Sequence, residues 1–429
     1  MTLVSAHQQQ PLCLAMSALF LLSTASFAGE PLMINQILID PNEPAILYAA
    51  ARPQGVLKSA DRGKSWSPAR NGLKNTSAYH LALDPANAKT LYLGTFGGGV
   101  FKSADGGEHW VEINDGLGNT NIHALAVDPN NPKRVVVGTS TGDLFQSLDG
   151  GIHWSAYGEG LPSLEGEVIA TLLFETAPPS RLFLGQELLY ARGAAGPWAP
   201  LGEGLKKEVI TTLAFDREHQ ILYAGTLHAG PFLSRDRGRS WIPVEGPFNR
   251  AWVNTIAVSR KKPREIYVSA FGKGFFKSLD QGATWIRMSG GLPLDDDIMS
   301  VAIDPEDPDR LYAGTHNKGI FISRDGGTTW IAPEITREPV SSIINSLVPD
   351  EAPTPDRAPV IPAPFVKCTK CHGWTDLFLT RKKTFWRVPP NRRDWRPTVK
   401  RMSRGAGLTP AETEEIISFL NTYSQRKPP

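Results

Sequence analysis

The chain has 429 residues, 45 Lys or Arg against 43 Asp or Glu, 40 glycines, 35 prolines and three cysteines. Such a length exceeds one small domain, and the glycine and proline content argues against an all-helical body in favour of turn-rich β structure. Three cysteines exclude a disulfide framework.

The first element in chain order is an apolar run from Leu12 to Ala28, with Leu19-Phe20-Leu21-Leu22 at its centre. Ser26 and Ala28 put small residues where a signal peptidase reads, so residues 1–28 are expected to be an export signal cut after Ala28. The segment before the run lacks Lys and Arg, unlike most such signals. The run is short for a span of about 20 residues, and no later segment is apolar enough to cross a bilayer. Cleavage would remove Cys13 and leave Cys368 and Cys371 as the mature thiols.

Residues 32–333 hold a repeat. Its strongest copies are Ser103-Ala-Asp-Gly-Gly-Glu-His-Trp110, Ser147-Leu-Asp-Gly-Gly-Ile-His-Trp154 and Ser323-Arg-Asp-Gly-Gly-Thr-Thr-Trp330. Others end at Trp66, Trp241 and Trp285, and a degenerate copy, Ala191-Arg-Gly-Ala-Ala-Gly-Pro-Trp198, keeps only the Trp. The tryptophans lie 44, 44, 44, 43, 44 and 45 residues apart. Each unit reads as an alternating strand, an Asp-Pro turn, a second strand, a Gly turn, a third strand, the Ser-x-Asp-x-Gly-x-x-Trp hairpin and a fourth strand opened by Trp. Four short strands at this period predict a seven-bladed propeller over residues 29–349. The Asp accepts backbone hydrogen bonds, Gly supplies positive φ, and Trp fills the gap between blades.

On these motifs the sequence resembles the Asp-box, or BNR-repeat, propellers, a group that includes sialidases, xyloglucanases, sortilin-type receptors and a photosystem II assembly factor. The resemblance implies fold and is nearly silent on function. Propeller topology puts the Asp-Pro turns and Asp boxes on one face. The other face collects the turns after strand two and the linkers between blades. Its candidate binding residues are Tyr79, Phe96, Asn121, His228, Arg250, Trp252, Lys273, Asp295, Asp296, Asp297, His316 and Asn317. A glycosidase needs two carboxylates across a cleft. Asp295 to Asp297 form one run in one linker, and the arginine cluster of a sialidase is not evident, so an electron-transfer and binding role is expected over a hydrolase.

Five prolines between Pro353 and Pro364 read as a semi-rigid spacer, residues 350–365. Cys368-Thr-Lys-Cys371-His372 follows. In this spacing two thiols can add to the vinyl groups of one haem while His372 binds its iron. Zinc would want a second ligand pair, a thioredoxin-like pair wants a βαβ context, and a disulfide across two residues is strained. No histidine follows His372, and Met402 is the only methionine after Met299. Elimination makes Met402 the sixth ligand, against core packing or an open site. Thr409, Pro410 and Glu412 cap a final helix with Ile416, Phe419, Leu420 and Tyr423 on one stripe.

The tail, residues 366–429, thereby resembles small class I cytochromes c: Cys-x-x-Cys-His, then Trp-x-x-x-Val-x-x-Met, then Leu-Thr-x-x-Glu into a last helix. The resemblance implies a small all-α domain with one covalently bound haem c, Cys368 and Cys371 as thioether anchors, and His372 and Met402 as axial ligands. Only 29 residues separate His372 from Met402, fewer than in many members. From Val366 onward there are 14 Lys or Arg and 5 Asp or Glu, a net of +9; the rest of the chain carries −7. A basic haem module would steer towards an acidic redox partner protein. The sequence thus predicts a periplasmic or otherwise exported single-electron carrier with a propeller for recognition and no nucleic-acid partner. Its alternatives are an assembly factor for a redox complex, or an oxidoreductase with a small substrate on the propeller face.

Overall fold

The computed structural model describes residues 31–336, apart from 162–167, 176–179, 194–195, 206–207, 263 and 294. The expected signal, spacer and haem module lie outside the described residues.

Seven antiparallel sheets follow one another along the chain. Their innermost strands are Met33–Ile39, Ala78–Asp84, Ile122–Asp128, Thr171–Phe174, Ile210–Asp216, Val253–Val258 and Ile298–Ile303, which define blades 1 to 7. Each inner strand contacts the next, and the inner strand of blade 7 returns against that of blade 1. The molecule is a seven-bladed propeller, as the repeat predicts.

Every sheet has a neighbour on both faces, so the second strands read as continuous apolar runs. Leu47–Arg52 and Ile221–Thr226 are buried along almost their whole length. The core is accordingly divided into seven wedges, one between each pair of blades. Trp110 of blade 2 packs with Tyr48 and Val56 of blade 1, and Trp66 of blade 1 packs with Tyr312 and Ile320 of blade 7. Close approach here needs glycine. A Cβ on Gly94 would fall 2.5 Å from Ile122, and one on Gly138 would fall 2.4 Å from Ile169.

The hairpin motif works as its chemistry suggests. Ser103 Oγ donates to Asp105 Oδ1 (2.8 Å), Gly107 N donates back to Ser103 Oγ (2.8 Å), and His109 N donates to Asp105 Oδ1 (2.9 Å). The same set recurs at Ser147, Ser234, Ser278 and Ser323. These bonds hold the aspartates ionised: Asp280 and Asp325 are lowered to about 2, chiefly by Thr284 and Thr329.

Two details differ from the sequence reading. The box tryptophan lies within its strand only in blade 1 (Ser65–Pro68); elsewhere the fourth strand begins after it. Blade 7 has three strands, and a single bridge from Ile331 to Ile322 replaces its fourth. The chain then crosses to blade 1, where Glu334–Ile335 pairs in parallel with Ser65–Trp66. Leu32 meanwhile bonds Asn317 and Gly319 of blade 7. Both ends of the described ring are therefore stitched across one seam.

Candidate functional site

Each inner strand starts on the linker face, and six of the seven carry a register shift at their second or third residue. The extra residues are Asn35, Tyr79, His123, Thr211, Asn254 and Met299. A bulge re-aims its side chain, and here the bulges ring the mouth of the central channel. Three of them brace the next blade: Asn35 donates to Ala78 O (2.7 Å), Thr211 to Val253 O (2.6 Å) and Asn254 to Ile298 O (3.0 Å).

Blades 2 and 3 depart from this pattern. Their bulge residues, Tyr79 and His123, put their rings 4.8 Å apart, and Phe96 lies 6.2 Å from Tyr79. The Arg52 guanidinium sits over Tyr79, 4.9 Å from the ring centre, and also donates to Met33 Sδ (2.9 Å). His80 follows Tyr79. The Nδ1 atoms of His80 and His123 are buried without a hydrogen-bond partner among the described residues. Burial pushes both imidazoles down to about 4; His123 adds to the effect on His80, and the Arg52 charge adds to that on His123. At neutral pH this sector holds two uncharged imidazoles, two aromatic rings and one cation. Such a set suits hydrogen bonding and stacking with a neutral or anionic group, and Arg52 disfavours a metal cation.

Of the residues expected from sequence, Tyr79 and Phe96 belong to this cluster. Asn121 supports it by pairing with Phe96. Arg250, Trp252 and Lys273 gather at blade 6. Asp295, Asp296, Asp297, His316 and Asn317 come together at the linker from blade 6 to blade 7, as a brace. Asp296 accepts from the main chain of Asn317 and Lys318 (both 2.8 Å), Asp297 from Gly272 N (2.8 Å), and Asp295 pairs with Lys318 (2.6 Å). Carboxylates spent on turn donors hold a linker in shape, and that is their part here. His228 stands apart, 3.6 Å from Glu208. No group of three or more His, Cys, Asp or Glu among the described residues is placed to hold a metal ion. Cys368, Cys371, His372 and Met402 lie outside the described residues.

Sequence reasoning missed Arg52, His80, His123, Phe271 and Arg287. Histidine inside an apolar alternating strand reads as core. Aligning the bulge position of the inner strands would have set the ring pair Tyr79 and His123 apart from Asn35, Thr211, Asn254 and Met299.

No family model and no curated protein matches the sequence. The fold is similar to the GH74 xyloglucanase from Xanthomonas campestris, with 20% identity and a TM-score of 0.59, covering 71% of this chain and 55% of that one. GH74 of Niastella koreensis gives 19% and 0.59, over 70% and 54%. This chain thus spans about half the length of those enzymes. YCF48 from Cyanidioschyzon merolae gives 14% and 0.53, over 69% of this chain and 96% of that one. Another solved structure in the same group is YCF48 bound to D1 peptide, at 15% and 0.53. At these identities the likeness is one of fold.

Proposed function

We propose that the protein is an exported c-type cytochrome that passes single electrons, with the propeller serving to recognise its redox partner. Cys368-Thr-Lys-Cys371-His372 carries this reading. It supplies two thiols and an imidazole in the spacing that covalent haem attachment needs, directly after a proline-rich spacer. Met402 completes a soft thioether ligand set, which suits an iron cycling between two oxidation states. The haem, when bound, supplies one-electron chemistry. Cys368 and Cys371 hold it, His372 and Met402 fix its potential, and the surrounding lysines and arginines draw in an acidic partner. The propeller belongs with the Asp-box type on its hairpins, and its linker face offers cationic and aromatic groups for recognition.

The test is expression beside haem-maturation machinery, followed by absorption spectra before and after reduction and by mass spectrometry. A coloured product heavier than the processed chain by one haem is expected, with the haem lost from a Cys368→Ser/Cys371→Ser variant. A colourless product of bare polypeptide mass overturns the proposal. A second reading, an assembly factor for a redox complex, draws on the YCF48 likeness, which spans nearly all of that chain. Co-purification with a partly assembled complex would favour it.

A further inference from the structure

Blade 6 carries the feature of the linker face that nothing above explains. Trp252 and Phe271 are the two exposed Trp or Phe side chains among the described residues, at 42% and 49% exposure. They come from different segments, the linker entering blade 6 and the turn after its second strand, yet their rings stack 5.5 Å apart at 22°. A main-chain bond from Phe271 N to Trp252 O (2.8 Å) locks the two segments together. The remaining exposed large apolar residues, such as Val111, Leu148 and Ile286, follow or precede the box tryptophans on the outer strands and hairpins. Among the described residues no other Trp or Phe on the linker face is exposed to this degree.

Beside the pair opens a shallow cleft of about 450 Å³, lined by Pro247, Gly272, Lys273, Phe276, Trp285 and Arg287. Trp285 is the one box tryptophan that is not fully buried, because its ring forms a wall of this cleft. Lys273 and Arg287 make no ion pair and no side-chain hydrogen bond within the described residues, and neither does the exposed Arg250 beside Trp252. Asp297 of the brace accepts from Gly272 N (2.8 Å) and pairs with none of these three cations. Three unpaired cations around an exposed aromatic pair form a positive, partly apolar surface. Tryptophan and arginine are the residues that dominate binding energies at protein interfaces, and a cohesive apolar patch with a polar rim marks such an interface.

We propose that this sector of blade 6 docks an acidic segment of a partner polypeptide. The aromatic pair receives an aromatic or apolar side chain, while Lys273, Arg287 and Arg250 meet the carboxylates around it. The inference rests on the reading of the propeller as the recognition domain. Charge decides against the chain's own tail as occupant, since residues 366–429 carry a net of +9 and would be repelled.

The test uses the full mature chain and a fluorescent random copolymer of glutamate and tyrosine as probe, read by anisotropy at low and moderate salt. Binding that weakens with salt is expected, with affinity falling at least tenfold in Lys273→Glu/Arg287→Glu and again in Trp252→Ala/Phe271→Ala. Lys133→Glu, on the opposite face, should leave it unchanged, and thermal midpoints report that each variant folds. Absence of copolymer binding, or binding that survives both double variants, overturns the proposal. Equal binding of polygalacturonate that is lost in the same variants overturns it too, by assigning the sector to acidic saccharides. Haem absorbance in the same samples separates the two readings. Coloured protein that ignores the copolymer sinks the docking site alone, and colourless protein that binds it sinks the cytochrome alone.

Discussion

Individual side chains at the channel mouth set a pH response. His80 and His123 are lowered to about 4 in the folded chain, against about 6.5 when unfolded. Above pH 6.5 both states are neutral and the pair costs nothing. As the pH falls from 6.5 to 4 the unfolded chain takes up protons that the folded one refuses, so stability drops across that window. Solvent reaches part of each ring, which limits the total to about 2–3 kcal/mol for the pair. The box aspartates act lower, because their depressed carboxyls lose their contribution only below about pH 4. Denaturant titrations at pH 7, 5.5 and 4.5 should show the decline, and His80→Gln/His123→Gln should flatten it. An undiminished slope in that variant would show that other groups titrate there. Sequence marked Tyr79 as a candidate and passed over the histidines, since their depressed basicity comes from burial and from neighbours 43 and 71 residues away.

Between strands, a device recurs that the repeat half reveals. Tyr48 of blade 1 donates from its second strand to Gly106 O in the hairpin of blade 2 (3.0 Å). Tyr92 does the same to Gly150 O (3.2 Å) and Tyr312 to Arg62 O (3.0 Å), which closes the ring, whereas the Tyr267 hydroxyl lies nearer Glu265 Oε2 (3.2 Å) than Gly326 O (3.4 Å). Burial raises the hydroxyls of Tyr48 and Tyr92 to about 12, so they stay protonated donors. Blade 3 has Val136 at this position, and it faces blade 4, whose hairpin has lost its Ser and Asp. Clamp and box are missing together. Blades 4 and 5 are exceptions: blade 4 has Phe183 at this position although the blade 5 hairpin keeps Ser234 and Asp236, and the Tyr223 hydroxyl of blade 5 is buried without a partner among the described residues. Tyr92→Phe should therefore cost about 1 kcal/mol, the net worth of a hydrogen bond, while Tyr223→Phe should be neutral or stabilising because it removes a desolvated hydroxyl. Chemical unfolding of the two variants distinguishes them, and equal losses would refute the clamp.

For the molecule as a whole, closure is the problem that a ring of separate sheets must solve. Each wedge of core needs two blades, so the first and last blades are stable only against each other. The chain meets this need by laying Glu334–Ile335 beside Ser65–Trp66, with Thr336 N bonded to Trp66 O (2.8 Å) and Ile335 packed on the wedge of blades 7 and 1. Ile335→Ala should lower the stability of the propeller by about 1–2 kcal/mol, below the cost at a fully buried site, and thermal unfolding should register it. An unchanged midpoint would mean that the Leu32 stitch holds the seam without it.

The spacing of seven tryptophans was enough to determine blade number, the order of strands and which turns share a face, because each of these follows from local periodicity repeated in register. The thiol pair with its histidine and the basic tail are visible in the sequence as a Cys-x-x-Cys-His spacing and a charge asymmetry, and the haem drawn from them is a proposal. What needed the tertiary structure was everything that joins residues from different repeats. The pairing of Trp252 with Phe271, the meeting of Arg52, Tyr79 and His123, the parallel strand that closes the ring, and the conversion of Asp295 to Asp297 into a brace all depend on how blades face one another. A sequence repeats its strands along one dimension, whereas burial, stacking and charge act across the space between them.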